Sequence, residues 1–437
     1  MNPEPLPPVP PNEPAPPRLW PVATVIASGI FATTFVQTQS LGYLPLNALL
    51  TRMGLDSDQA ASFFSLAMLP WSFKIIAGLL VDGVPLFGSR RRSYLLLSGL
   101  TAAAAWLMMG FSPSHYHLLL VLAFGMNSAI VFGSTTSGGL LVEAGQRFGM
   151  SGRLSSLRTV AQFLGAGLAA AISGYLADHT MNGKFPLAWT SAAAAVTLAC
   201  MFGSTWLFLK EPPLPPPSAH GRAWNAQAAH VIRSIWTQIR NVLRWQMLLP
   251  ALLLWFIQAV PTFRSTCFYQ HQTVDLHYDN SQLGWLTLAG YGVSLLSSGL
   301  YAWWCRRANL RLSLYGAVLA TSLSALPYLF YTSSLPRAFA IEAAGNFLQI
   351  LAYLPLFDIA IRSTPKGSEA LGYSLLIGVW NIGLMIGIKT GPSLYEHVFH
   401  KNINDLIWLN AGVTLAGMIL VFLQPKNLVD CREGSAS

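Results

Sequence analysis

The sequence predicts an all-α membrane protein of about twelve transmembrane helices in two six-helix halves. Three observations carry this. Only 10% of the 437 residues are charged and 53% are hydrophobic, against about a quarter charged in soluble domains, so soluble packing cannot hide the apolar surface. Apolar runs near 20 residues, the length that crosses a hydrocarbon layer, recur along the whole chain. A proline-rich break beginning EPPLPPPSAHGR follows the sixth run; no helix crosses it, and it divides the chain in two.

The runs predict spans at 21–44, 62–82, 94–111, 117–142, 155–177 and 187–209 in a first half covering 21–209. The second half, 247–424, holds spans at 247–269, 281–304, 312–332, 337–361, 369–395 and 404–424. Residues 1–20 are proline-rich with the single Arg18, lack the basic start and short apolar core of a cleavable signal, and read as a disordered tail. A second tail occupies 425–437. In the linker, 210–246, Val231, Ile232, Ile235, Trp236, Ile239, Val242 and Leu243 recur at helical spacing with His230, Arg233, Arg240 and Arg244 around them. That pattern predicts an amphipathic helix lying on membrane lipid.

Nineteen of the 26 Lys and Arg fall in segments on the side of the amino terminus and four on the other side. This asymmetry predicts both termini in the cytoplasm, and short loops without glycosylation-rich domains point to an inner membrane. The same distribution accounts for the net charge of +9 without a continuous basic stripe, which argues against nucleic-acid binding. Cys200, Cys267, Cys305 and Cys431 have no paired spacing, so neither a disulfide framework nor a zinc site is indicated. His271, Asp275, His277, His397 and His400 are all expected on the outer side, with no strong metal signature, and no cofactor is expected.

The most informative stretch joins spans two and three. It carries Gly78-x-x-x-Asp82, then Gly88 and the cluster Arg90, Arg91, Arg92. Gly78 allows close helix approach, Asp82 at a helix end can pair with an arginine, and the flexible loop lets the pair break and re-form, so the set can latch one of two conformations. Three arginines alone would only fix orientation; joined to Gly78 and Asp82 they resemble the loop signature of major facilitator transporters. Leu69-Pro70-Trp71-Ser72 with Lys74, Val142-Glu143, Gly299-Leu300-Tyr301, and Pro365-x-Gly367-x-Glu369-Ala370 followed by Asn381 and Gly383 narrow the likeness. Together these resemble the folate-biopterin transporter family over roughly residues 40–396, although some are shared with related muropeptide permeases. The resemblance implies the major facilitator fold and uptake of pterin-containing or similar aromatic anions, driven by protons. One departure is that family members carry acids in span four where this chain has Ser134 and Gly138.

Charges within the membrane are costly and mark candidate sites. Lys74 lies about 12 Å along the helix axis from Asp82, too far to touch it, and Glu143 is the expected partner, in a structural tie or on the transport path. Glu342, Asn346, Gln349 and Tyr353 fall on one face of span ten. Glu342, Arg264 and Lys389 lie at similar outer depths, so two positive charges meet one negative. The resemblance places Arg264 and Glu342 facing the central cavity with Lys389 beside them. Arg264 would then hold an anionic substrate group, and Glu342 would exchange a proton; a static Arg264–Glu342 pair is the alternative. Gln37, Gln39 and Asn127 are candidates for hydrogen bonds to a polar heterocycle, and Trp380 for stacking on it.

The sequence therefore predicts a secondary transporter of a small anionic solute, folate- or pterin-like, working by alternating access with protons as candidate coupling partner. A muropeptide or siderophore permease is the alternative within the superfamily, and a non-transporting receptor or scaffold the alternative of another class. No convergent nucleophile, base and metal set suggests an enzyme.

Overall fold

The computed structural model describes residues 19–55, 57–111, 115–180, 186–211, 233, 236–278 and 280–433. Among them there is no strand beyond the isolated Leu86–Ser89 bridge, and ten helices are long and apolar enough to cross a membrane. The first half comprises α1 (Leu19–Phe35), α2 (Ser62–Gly83), α3 (Arg92–Phe111), α4 (Tyr116–Arg147), α5 (Ser151–Thr180) and α6 (Ala188–Phe208). The second comprises α7 (Trp245–Gln270), α8 (Asn280–Trp304), α9 (Leu310–Ala325), α10 (Leu335–Ser363), α11 (Glu369–Ser393) and α12 (Ile403–Phe422). The two of these outside the ten, α1 and α8, occupy the places expected for spans one and eight. Of the expected tails at 1–20 and 425–437, residues 1–18 and 434–437 lie outside the described residues, as do Val231, Ile232 and Ile235 of the linker helix; Leu19 and Trp20 begin α1, and Lys426–Val429 forms a helical turn.

Each helix satisfies its own backbone, the condition for crossing hydrocarbon. Large apolar side chains such as Leu100, Val121, Val196, Leu296 and Ile419 remain on the outer surface, where lipid rather than a protein core meets them. Small and polar residues instead fill the seams between helices: Thr135, Thr136 and Ser137 of α4 and Ser294, Ser297 and Ser298 of α8 are buried.

Two departures from hydropathy position the site. Pro70 removes a backbone donor, and α2 tightens there into a 3₁₀ turn over Leu69–Phe73 that presents Trp71 and Lys74 inward. Helix α5 begins at Ser151 rather than near 155, so Arg158, one of the nineteen Lys and Arg counted on the side of the amino terminus, stands two turns inside the helix; that placement is corrected.

The halves meet through α2 against α11 and α5 against α8, with α4 and α10 adding contacts to α11 and α5. On the face carrying the linker, residues 236–242 are helical. Gln238 and Val242 pack inward while Trp236 and Leu243 are exposed.

Candidate functional site

A cavity of about 310 Å³ lies between the halves, at the small end of the range of ligand sites. Helix α1 contributes Thr33 and the turn after it Gln37, α2 Trp71 and Lys74, α4 Ser134 and Gly138, and α5 Arg158 and Gln162. The second half closes it with Gln258, Tyr353, Phe357, Tyr373, Trp380 and Asn381. Lys74 Nζ donates to Ser134 Oγ at 2.9 Å and sits 5.3 Å from the centre of the Trp71 ring. The Arg158 guanidinium lies 4.0 Å over Phe357. Neither cation has an ion pair among the described residues, and no described carboxylate lines the cavity. Trp380 stands edge-on to Tyr353, with centroids 4.6 Å apart, and tilts against Phe357. Gln258 is buried, and no described donor reaches its Oε1. Two cations and an aromatic wall suit an anion that carries a flat ring.

Several candidates fall elsewhere. Lys74 meets Ser134, not Glu143, whose carboxylate is 4.0 Å from Arg91 instead. Asn127 is fully buried and accepts from Trp71 Nε1 at 3.2 Å while donating to Thr38 Oγ1 and the Ala123 carbonyl. It ties helices together and does not line the cavity. Arg264 and Glu342 also lie off the cavity lining and form no direct ion pair, because Tyr328 intervenes. The Arg264 guanidinium lies 3.6 Å over the Tyr328 ring, and the Tyr328 hydroxyl donates to Glu342 at 2.7 Å. Asn346 donates to the same carboxylate at 3.2 Å, and Tyr331 and Gln272 approach at 3.4 Å. Burial and the neighbouring Glu342 push the Tyr331 hydroxyl well up, so it stays a donor. Lys389 is exposed with no ion pair among the described residues, as a side chain snorkelling outward would be. Gln349 donates to the Tyr353 hydroxyl at 2.6 Å, behind the cavity wall. Gln39 is exposed and does not line the cavity. On the face away from the linker His271 meets Asp275 at 2.6 Å, and no group of three potential metal ligands occurs among the described residues.

On the linker face, loop residues of the first half join α11. Arg91, 1% exposed, reaches Asp82 at 2.7 Å and Glu369 at 3.1 Å. Arg90 contacts the same two carboxylates at 3.3 Å and donates to the Gly367 carbonyl at 2.9 Å. The second Asp82 oxygen accepts the Leu371 N–H at 2.8 Å. A methyl group on Gly78 would meet Leu371 Cα at 2.8 Å, so only glycine permits this approach. Gly88 adopts φ +71° at the turn, a region costly for other residues. Arg92 departs from expectation: it stacks on Trp206, 4.9 Å away, and stays within its own half. Glu211 accepts the backbone N–H groups of Arg90 and Arg91 at 2.9 and 3.0 Å, neutralising the start of α3.

A second interface, which the sequence reading missed, joins α5 to α8 and α10. A methyl group on Gly152 would meet Cys305 Cβ at 2.7 Å and Asp358 at 2.9 Å. Asp358 takes Arg362 at 2.8 Å and the Tyr301 hydroxyl at 2.9 Å, while Arg362 also donates to Ser151 at 3.0 Å. Glu433, from the carboxy-terminal segment, accepts the Arg153 backbone N–H at 3.0 Å and its guanidinium at 3.3 Å. The Cys305 thiol donates to Glu433 at 2.9 Å. Burial and Glu433 push this thiol well up, and it remains protonated.

The comparisons with known proteins agree with this architecture. The BT1 family matches over residues 38–435. The folate-biopterin transporter of Synechocystis is 29% identical over 364 residues, 79% of this chain and 69% of that protein. A probable folate-biopterin transporter of Arabidopsis thaliana is 21% identical, covering 78% and 82%. Among solved structures, the E. coli fucose:proton symporter superposes with TM-score 0.67 at 14% identity over 93% of this chain and 98% of that one. The human organic anion transporter MFSD10 gives 0.66 at 16% over 93% and 100%. These low identities carry the fold alone, the major facilitator arrangement. The family match covers all but the first helix, including both interfaces and the cavity residues from Trp71 onward, and the chain belongs to the BT1 family.

Proposed function

We propose that this chain is a secondary active transporter that moves a folate- or pterin-like anion across the inner membrane by alternating access. The observation that carries this is the central cavity, where Lys74 and Arg158 face an aromatic wall with no described carboxylate. A substrate carboxylate supplies the negative charge this pair lacks. A pterin ring fits the wall of Trp71, Phe357 and Trp380, and its ring N–H and amino groups are donors of the kind that the Gln258 Oε1 lacks. The linker face is the cytoplasmic one, with both termini on it, because the excess of Lys and Arg lies there. Asp82, Arg90, Arg91 and Glu369 latch that face, and Gly78 makes their closure tight. The two halves rock about the cavity when the latch opens.

The test is uptake into proteoliposomes of folate, biopterin, a muropeptide and a siderophore, with and without an inward proton gradient. Accumulation of folate or biopterin, each competing with the other, is expected, and the gradient arm decides whether protons drive it. Accumulation of the muropeptide or siderophore alone would replace the substrate reading. Binding without accumulation of any would make the protein a receptor.

A further inference from the structure

Two cavities open on the linker face beside the latch, of about 520 and 650 Å³, and they share Asn241 and Lys366. The smaller is bounded by three separate parts of the chain. Arg233 and Thr237 come from the linker, Arg90 and Asp82 from the first half, and Lys366 with Ser368 from the loop before α11. Its carboxylate is already engaged: the Asp82 side chain is fully buried against Arg91, Arg90 and the Leu371 N–H. Arg233 and Lys366 are exposed and have no ion pair among the described residues. Ser368 is 1% exposed, and its hydroxyl finds no hydrogen-bond partner among the described residues. The larger cavity extends the same chemistry with Arg244, whose guanidinium meets only the neutral Asn241 at 2.8 Å.

We propose that this furrow binds a phosphate-bearing anion, which bridges Arg233 of the linker, Lys366 and the Ser368 hydroxyl. Lys366 is a point charge, Arg233 a planar fork and Ser368 a neutral donor, a combination that matches the several acceptor oxygens of phosphate. Positive charge on an inner face is ordinary for orientation. What orientation does not explain is a concave site where unpaired cations converge beside a buried hydroxyl. An anion held there joins the linker to the loop that carries Gly367 and Glu369, both partners of Arg90. It therefore favours the closed face, and its release accompanies opening. The inference rests on the cytoplasmic placement of this face but not on the substrate proposed for the central cavity.

The phosphate has two possible sources, a soluble phosphate compound or an anionic lipid headgroup, and the experiment separates them. Calorimetry of the purified full chain in neutral detergent, without folate, measures inorganic pyrophosphate binding. Thermal unfolding in nanodiscs with and without phosphatidylglycerol measures the lipid. The wild type is expected to bind one of the two probes. The double variant Arg233→Gln, Lys366→Gln should lose at least about 10-fold in that binding, and Ser368→Ala about 3- to 10-fold. Lys366→Arg should retain it, which distinguishes lost charge from misfolding. Pyrophosphate should also slow alkylation of Cys305, which lies in the other inter-half interface, in wild type but not in the double variant. A response to phosphatidylglycerol alone, lost in the double variant, assigns the lipid as source. If neither probe separates wild type from the double variant, the site does not exist.

Discussion

Two clusters of buried or half-buried charge within the membrane differ in what satisfies them. At the end of the second half away from the linker, Glu342 collects hydroxyl and amide donors from Tyr328, Tyr331, Gln272 and Asn346, and Arg264 rests on the Tyr328 ring. Every contact comes from the same half. In the centre, Lys74 has one serine hydroxyl and Arg158 an aromatic face, and the cavity they line is walled by both halves. A cluster that closes on itself inside one half does not sense which way the halves are tilted. A pair of cations without counter-charge, on the seam between halves, is costly until an anion arrives, and only the second arrangement ties binding to movement.

The largest effect should therefore come from the centre. If the proposed function holds, replacing Arg158 or Lys74 with Gln removes a charge that a substrate carboxylate meets in a desolvated site, a loss of about 2–5 kcal/mol. Uptake kcat/KM should fall at least about 30-fold, mostly through KM, with surface expression unchanged. Equal uptake by Arg158→Gln and wild type would move the substrate site out of this cavity.

The two interfaces on the linker face sharpen the comparison. Both use a glycine for close approach, Gly78 against α11 and Gly152 against α8, and both set carboxylates beside arginines. The carboxylates are buried in both, Asp82 0%, Asp358 1% and Glu433 0% exposed, and the difference lies in the arginines: Arg91 is 1% exposed, Arg153 27%. Arg91→Gln leaves Asp82 and Glu369 without their main counter-charge, which weakens the closed face by about 3–5 kcal/mol. Glu433→Gln keeps its acceptor oxygen for the Arg153 N–H and loses only the charge, about 0.5–1.5 kcal/mol. Alkylation of Cys305 reads opening in Arg91→Gln, because only the thiolate reacts and the buried thiol titrates well above its usual range; Glu433, which the thiol contacts directly, is read by thermal unfolding instead. Closed protein should stay nearly inert to alkylation from pH 7 to 9. Arg91→Gln should raise the rate, and an unchanged rate would mean that the two interfaces do not open together.

The fold was legible because membrane spans announce themselves by length and apolarity, and the Gly78–Arg92 stretch because its residues are neighbours in sequence. The second interface gathers Gly152, Arg153, Tyr301, Asp358, Arg362 and Glu433 from four separate segments, and no local spacing reveals it. Arg158 was within reach. Ser155, Thr159 and Gln162 recur beside it at helical spacing and make a polar face where a span start was assumed. The Arg264–Glu342 expectation failed for another reason: matching depth fixes two charges along the membrane normal but says nothing of the aromatic ring between them.

The smallest effect should come from the Glu342 cluster. In Glu342→Gln the amide oxygen still accepts from the Tyr328 hydroxyl, so one hydrogen bond survives and a charge-assisted one is weakened. Stability should drop by about 0.5–1.5 kcal/mol, while substrate KM stays within about twofold, since Glu342 does not line the cavity. The proton dependence of uptake is the sharper readout. If Glu342 carries the coupled proton, Glu342→Gln abolishes gradient-driven accumulation but leaves substrate exchange between the two sides intact. The self-contained geometry predicts instead that both survive, because nothing in that cluster faces the other half.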